Sequence, residues 1–321
     1  MQGVERVVLR VVSIREVLRR MVEVGLRPRL LERRALRSAA RRRRGIALVW
    51  HRIGPGGPQP HEWVRTVATA AFAAQLDLLG ELGDVVSLAD LEHPVEGRRP
   101  RFALTFDDDD AGHAAHALPE LRARGLTATF FLSGRWCHGY GPYWWELLED
   151  DIRHRGTKDV AKGYGLDSSL AAHELVKALT GTAAAGALAQ RARSSGPPPM
   201  SHDEAVVLAE AGMEIGFHTI DHDVLPVLVE RAQREVVVRG REELAHDLGV
   251  PLLRFAYPHG LADERVARAV GLAGYASAWT TGKRAVDSGA PLLALGRWDI
   301  GHLPLSRARV ALVRGLARPH R

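Results

Sequence analysis

The chain has 321 residues, 46% of them hydrophobic and 26% charged, which suits one large α/β domain or two modest ones and excludes a disordered or membrane-embedded polypeptide. Its single cysteine, Cys137, excludes an intramolecular disulfide framework and any cysteine-rich zinc site. The net charge of +6 is unevenly placed: residues 1–44 hold 14 arginines against 4 glutamates, an excess of +10, so the remainder sits near −4.

Residues 1–45 read as a basic, helical arm ending in Arg41-Arg42-Arg43-Arg44. Val4, Val7, Val8, Val11, Ile14 and Leu18 share one helical face, with arginines mostly elsewhere. Such a helix can dock its valines on the domain or a neighbouring subunit, or lie peripherally on an anionic membrane surface. Without a recognised motif or aromatic partners, the arginine run gives no expectation of nucleic-acid binding. Arg6, Arg10, Arg15 and Glu16 interrupt every apolar run, so no signal-peptide core is read, and no stretch reaches the roughly 18–20 apolar residues of a membrane span. The expected location is cytoplasmic, or peripheral to the inner face of the membrane.

From Ile46 onward, apolar runs alternate with helical periodicity. Expected strands are Ile46–Trp50, Phe102–Phe106, Ala128–Leu132, Met213–Phe217, Leu253–Tyr257, Tyr275–Trp279 and Leu292–Arg297. Expected helices are Ala71–Leu82, Ala114–Arg124, His202–Ala211, Val229–Leu248 and Ala262–Val270. This alternation argues for a parallel sheet covered by helices, open or closed into a barrel. The domain is expected to span 46–305, with an insertion at about 139–200 and a basic tail at 306–321. The insertion opens on aromatics (Tyr143, Trp144, Trp145) and ends in Ser-Ser-Gly-Pro-Pro-Pro.

Two clusters carry chemistry. Thr105-Phe106-Asp107-Asp108-Asp109-Asp110 follows a strand, at the end where α/β active sites collect. Adjacent carboxylates repel, so they need a cation or shifted pKa values; the alternative is a solvated loop with one capping aspartate. His218 and His222, just past another strand, have the i, i+4 spacing of a helical turn that lets two imidazoles hold one metal ion. With a carboxylate from the first cluster they form a two-His, one-carboxylate set, suited to zinc hydrolases and also to non-haem Fe(II) oxygenases. A weaker third motif, Phe255-Ala256-Tyr257-Pro258-His259-Gly260, is a turn that could aim a backbone N–H at an oxyanion.

In this order the motifs resemble those of the polysaccharide deacetylase (NodB-homology) family: Thr105–Asp108, His218–His222 and Phe255–Gly260, with flanking likeness over roughly residues 46–300. The resemblance implies a distorted (β/α) barrel of about seven strands. It implies Asp107 as catalytic base, and Asp108, His218 and His222 as ligands of a divalent metal, usually zinc. Its substrate would be an N-acylated sugar or glycan, losing its acetyl group by hydrolysis. Tyr257, His259 and Arg297 are expected around the substrate, with Arg297 also a candidate support for Asp107 because the family's arginine at position 256 is alanine here. Asp109 replaces the family's glycine. His302 is the nearest counterpart of the family's general acid, with His51 and His259 as competitors. Trp298, Tyr143, Trp144 and Trp145 are candidates for a sugar groove or for core packing. The alternatives are a deformylase or other small-amide hydrolase of the same superfamily, and a non-catalytic glycan-binding homologue.

Overall fold

The computed structural model describes residues 27–93 and 97–317. The amphipathic segment from Val4 to Leu18 and the last four residues lie outside them. Seven parallel strands build the barrel: β1 (Gly45–Trp50), β2 (Arg101–Asp107), β3 (Thr129–Leu132), β4 (Glu214–Phe217), β5 (Arg254–Ala256), β6 (Ser277–Trp279) and β7 (Arg297–Asp299). Their spatial order is β7-β1-β2-β3-β4-β5-β6. Between β6 and β7, hydrogen bonds from Thr280 N to Leu295 O and from Leu295 N to Ala278 O nearly close the ring. The expected barrel is thus observed.

Strands buried on both faces explain the unbroken apolar runs. Along β1 and β2, Ile46, Leu48, Trp50, Phe102, Leu104 and Phe106 join the layer under the helices, against residues such as Phe72, Leu76 and Leu118. Ala47 and Ala103 belong instead to a second cluster with Phe131, Ala256, Trp279 and Leu295 inside the barrel. The small residues there matter: a Cβ on Gly216 would meet the Phe131 ring at 2.5 Å. At the strand starts, Arg254 forms a forked pair with Glu92 at 2.9 and 2.7 Å, closing the barrel end opposite the aspartates.

Four helices bear on the site and its surroundings: α1 (Arg27–Arg41), α2 (Thr69–Leu82), α3 (Trp144–Arg155) and α4 (Leu305–Ala317). The stretch expected as a tail from 306 is therefore helical to Ala317; its Leu312 and Leu316 are buried and it packs on α1. Other boundaries differ for local reasons. Val229–Leu248 is two helices, Glu230–Val236 and Arg241–Leu248, parted at Gly240, whose φ of +83° suits glycine and whose Cβ would strike Ile220. The last expected strand is a short helical turn at Leu292–Ala294 followed by β7, because Leu295 is spent on the bridge to Trp279. Ala114–Arg124 opens with a π-turn, His113–Ala117, ahead of Pro119, which has no N–H to continue the ladder.

The insertion folds as α3 and three shorter helices, Thr157–Gly163, Ala172–Leu179 and Ala183–Ala192, around its own apolar cluster. It is held to the barrel by Arg52, just past β1, which contacts Glu149 at 2.7 Å and Glu146 at 3.2 Å, both on α3.

Candidate active site

Asp107 is the last residue of β2, and His218 immediately follows β4, so the strand ends deliver both to one face of the barrel. The rest of the constellation depends on unusual backbone. Five described non-glycine residues have left-handed φ, and four are here: Asp108 (64°), Thr219 (59°), His222 (53°) and His259 (57°). Such conformations are costly for side-chain-bearing residues and gather at functional sites. They also correct one expectation. His218 and His222 are not on a helical turn; a loop with two left-handed residues turns both imidazoles toward Asp108. Asp221 holds that loop, pairing with Arg193 at 2.6 Å and Arg239 at 2.5 Å.

Nε2 of His218 and of His222 lie 3.5 and 3.6 Å from Asp108 Oδ1. One donor atom from each of the three residues falls within 4.8 Å of the others, and all three residues are buried. The Nδ1–H of His218 donates to the Ala256 carbonyl at 2.8 Å, which leaves the Nε2 lone pair facing Asp108. Burial pushes the His218 imidazole down to about 4, against the pull of Asp107, and pushes His222 well below its ordinary range. Burial also drives Asp108 upward, with Asp107 and Asp109 adding to it, and Asp108 Oδ1 has no hydrogen-bond partner. Two neutral imidazole lone pairs converging with a carboxyl oxygen that has no hydrogen-bond partner are what a divalent cation satisfies, and its charge would favour the ionised Asp108, so the residues fit a metal.

Asp107 is in a different state. Burial alone would raise its pKa, but Arg297 holds it down to about 2. The guanidinium is fully buried and forked onto the carboxylate at 2.5 and 2.7 Å, with a further bond to Thr105 Oγ1 at 3.1 Å. Arg297 pairs across with Ala47, which aligns with Ala103, four residues before Asp107. Its side chain therefore climbs through the barrel interior, where Ala47, Ala103 and Ala256 leave room. Position 256 needs no arginine because position 297 supplies one. This corrects Arg297 as a substrate contact. Tyr257 is corrected likewise: it is fully buried, its hydroxyl donating to Leu293 O and its N–H to Trp279 O.

Asp109 does not add a free charge beside Asp108. It turns inward and accepts from the N–H of Ser133 at 2.7 Å and from the Ser133 hydroxyl. Burial still raises its pKa, with Ser133 and Arg135 opposing. Ser133→Ala removes one of these donors from a fully buried carboxyl and is expected to cost about 1–3 kcal/mol of stability. An unchanged melting temperature would contradict that role.

The catalytic cavity, of about 390 Å³, is lined by Asp107, Asp108, His218 and His222 together with His51, Trp63, Arg65, His259, Asp299 and His302. His302 thus reaches the cavity, beside Asp299; burial lowers its pKa while Asp299 opposes the shift. His51 is fixed by the ring of His113, whose Nε2 bonds its carbonyl at 2.5 Å. His259 packs on His222, ring centroids 4.3 Å apart. Tyr143, Trp144, Trp145 and Trp298 are buried and line no part of this cavity. Trp145 instead backs His222, with its ring edge-on at 4.8 Å. Two tryptophans do line the cavity: Trp50, almost fully buried at its wall, and the more accessible Trp63, which sequence reasoning passed over. Its signal was a lone tryptophan in a loop rich in glycine and proline, positioned here by its N–H bonding Glu149 at 2.6 Å.

The family model described as polysaccharide deacetylase matches residues 95–278. Three solved structures share the fold. A Streptococcus pyogenes deacetylase, PplD, in complex with acetate is 16% identical, covering 84% of this chain and 98% of its own, with a TM-score of 0.56. IcaB from Ammonifex degensii is 22% identical over 85% of this chain and 97% of its own, with a TM-score of 0.54. A de-N-acetylase from Aggregatibacter actinomycetemcomitans is 14% identical over 84% and 100%, with a TM-score of 0.57. No curated protein matches the chain.

Proposed function

The chain belongs to the polysaccharide deacetylase family, and on that premise we propose that it is a metal-dependent hydrolase removing the N-acetyl group from a sugar within a glycan. The observation that carries this reading is the pairing of two unlike carboxylates in one cavity. Asp107 is neutralised by an arginine, whereas Asp108 faces two neutral imidazoles and no donor.

Asp108, His218 and His222 would hold the ion, for which zinc suits the nitrogen and oxygen donors. Bound there, it supplies Lewis-acid polarisation of the amide carbonyl and a more acidic water. Asp107 takes the proton from the attacking water at its carboxylate. Held at about 2, it is ionised across the neutral range, and its weak basicity is matched to an acidified water rather than a bulk one. Arg297 keeps both oxygens in place and preserves the charge. We assign the His259 N–H to the developing oxyanion, because the Tyr257 N–H is already bonded and Pro258 has none. His302, in the cavity wall with Asp299 near enough to favour its charged form, gives the proton to the departing amine nitrogen.

A glycan fits the shape of the surface. Among the hollows that share lining residues with the catalytic cavity, two border it at Arg65. One, of about 920 Å³, shares Trp63, Arg65 and His259 with it; the other, of about 420 Å³, shares Arg65, Val67 and His302. Sugar units on either side of the acylated one would occupy them.

The test is acetate release from chitooligosaccharides, with and without chelator, alongside metal analysis of the purified protein. The reading expects metal-dependent acetate and one bound divalent ion per chain, lost in His222→Ala. Metal-dependent release of formate from N-formyl sugars, with no acetate from the chitooligosaccharides, would favour the deformylase alternative. Bound metal with no amide hydrolysis across a broad panel would favour a non-catalytic glycan-binding homologue.

A further inference from the structure

Helices α1 and α4 together expose a face on which arginines alternate with large apolar residues. On α1, Leu30, Arg34, Arg37 and Arg41 are exposed and fall three or four residues apart, so they share one side, with exposed Arg33 beside Arg34. On α4, Arg307, Val310 and Arg314 do the same. None of these arginines makes an ion pair with a described residue; the nearby acids Glu32 and Glu81 are both taken by Arg309. Leu30 is 65% exposed, Leu31 40%, Leu305 44% and Val310 46%.

The fold orients this face. α1 ends at Arg41, just before β1 begins at Gly45, and packs along α4. The bond from Arg309 to Glu32, at 2.9 Å, sets the early turns of α1 and α4 side by side. Leu305, the first residue of α4, lines a hollow together with Arg65 and His302 of the catalytic cavity.

We propose that this face docks on a bilayer surface bearing anionic phospholipid headgroups. Exposed arginines meet the negative surface potential, and interspersed leucines and valine enter the headgroup–acyl boundary. A nucleic-acid backbone would use the arginines but leave those apolar side chains in water. No helix among the described residues is long and apolar enough to cross a membrane.

The test is co-sedimentation of the full chain with phosphatidylcholine vesicles, with and without phosphatidylglycerol. Binding is expected only with phosphatidylglycerol and is expected to weaken with salt. Arg33→Gln, Arg34→Gln, Arg37→Gln and Arg41→Gln combined should lower partitioning at least about tenfold, since each basic residue near the surface contributes several-fold. Leu305→Ser with Arg307→Gln, on the other helix, should also reduce it, with melting temperatures unchanged because all these side chains are exposed. Equal binding to neutral vesicles, or full binding by the four-arginine variant, overturns the proposal. So does preferential binding to a DNA duplex that displaces the protein from vesicles.

Discussion

Replacing Asp107 by Asn is expected to lower the rate of acetate release by about 10²–10⁴-fold, the usual contribution of a positioned general base. The substitution keeps the shape and leaves Thr105 and Arg297 in place, so metal content should be unchanged. It removes the proton acceptor and leaves the Arg297 charge without its partner. The loss should appear in kcat, because Asp107 is needed in the transition state and not for holding the sugar. An Asp107→Asn protein that retained its metal and more than about a tenth of wild-type kcat would remove Asp107 from the role of base.

Arg297→Met is expected to give the second large effect, read on stability as well as on rate. In the metal-free wild type, Asp107 is held at about 2 against an ordinary value of 3.8. A carboxyl depressed in the folded state stabilises the fold above its unfolded pKa, and that contribution disappears as pH falls from about 4 to about 2. By linkage it is worth on the order of 2 kcal/mol at neutral pH. Without the guanidinium, a buried carboxylate stands uncompensated, which costs about 3–5 kcal/mol. Burial then raises the Asp107 pKa above its unfolded value, so protonation relieves the variant as the pH drops through that raised pKa. The melting-temperature gap between wild type and Arg297→Met should therefore be widest near neutrality and narrow in mild acid. The variant's activity should also lose its acidic limb at higher pH. A gap that is the same at all pH values would mean that Arg297 acts by packing alone.

Much of the fold and site was legible in the chain. The unbroken apolar runs at Ile46–Trp50 and Phe102–Phe106, and the helical periods between them, specify parallel strands under helices, because burial on both faces demands such runs. The same strands place Asp107 and His218 at one end. What local pattern could not specify were features that depend on distant neighbours. The gap at Gly240 follows from a clash with Ile220, and the late strand was displaced because Leu295 bonds β6. Asp109 reads as an extra charge at the metal site, yet Ser133, 24 residues away, receives it.

The sequence by itself determined the family, the barrel, and the residues able to hold a cation, because each is written in short-range order: strand ends, histidine spacing, a run of aspartates. Only the tertiary structure decided what gives two neighbouring aspartates unlike surroundings. Asp107 and Asp108 are adjacent in the chain and almost equally buried, yet one meets Arg297 from 190 positions away and the other meets two imidazoles. A carboxyl's charge state is set by what surrounds it within a few ångströms, and in a closed barrel those surroundings come from every strand at once.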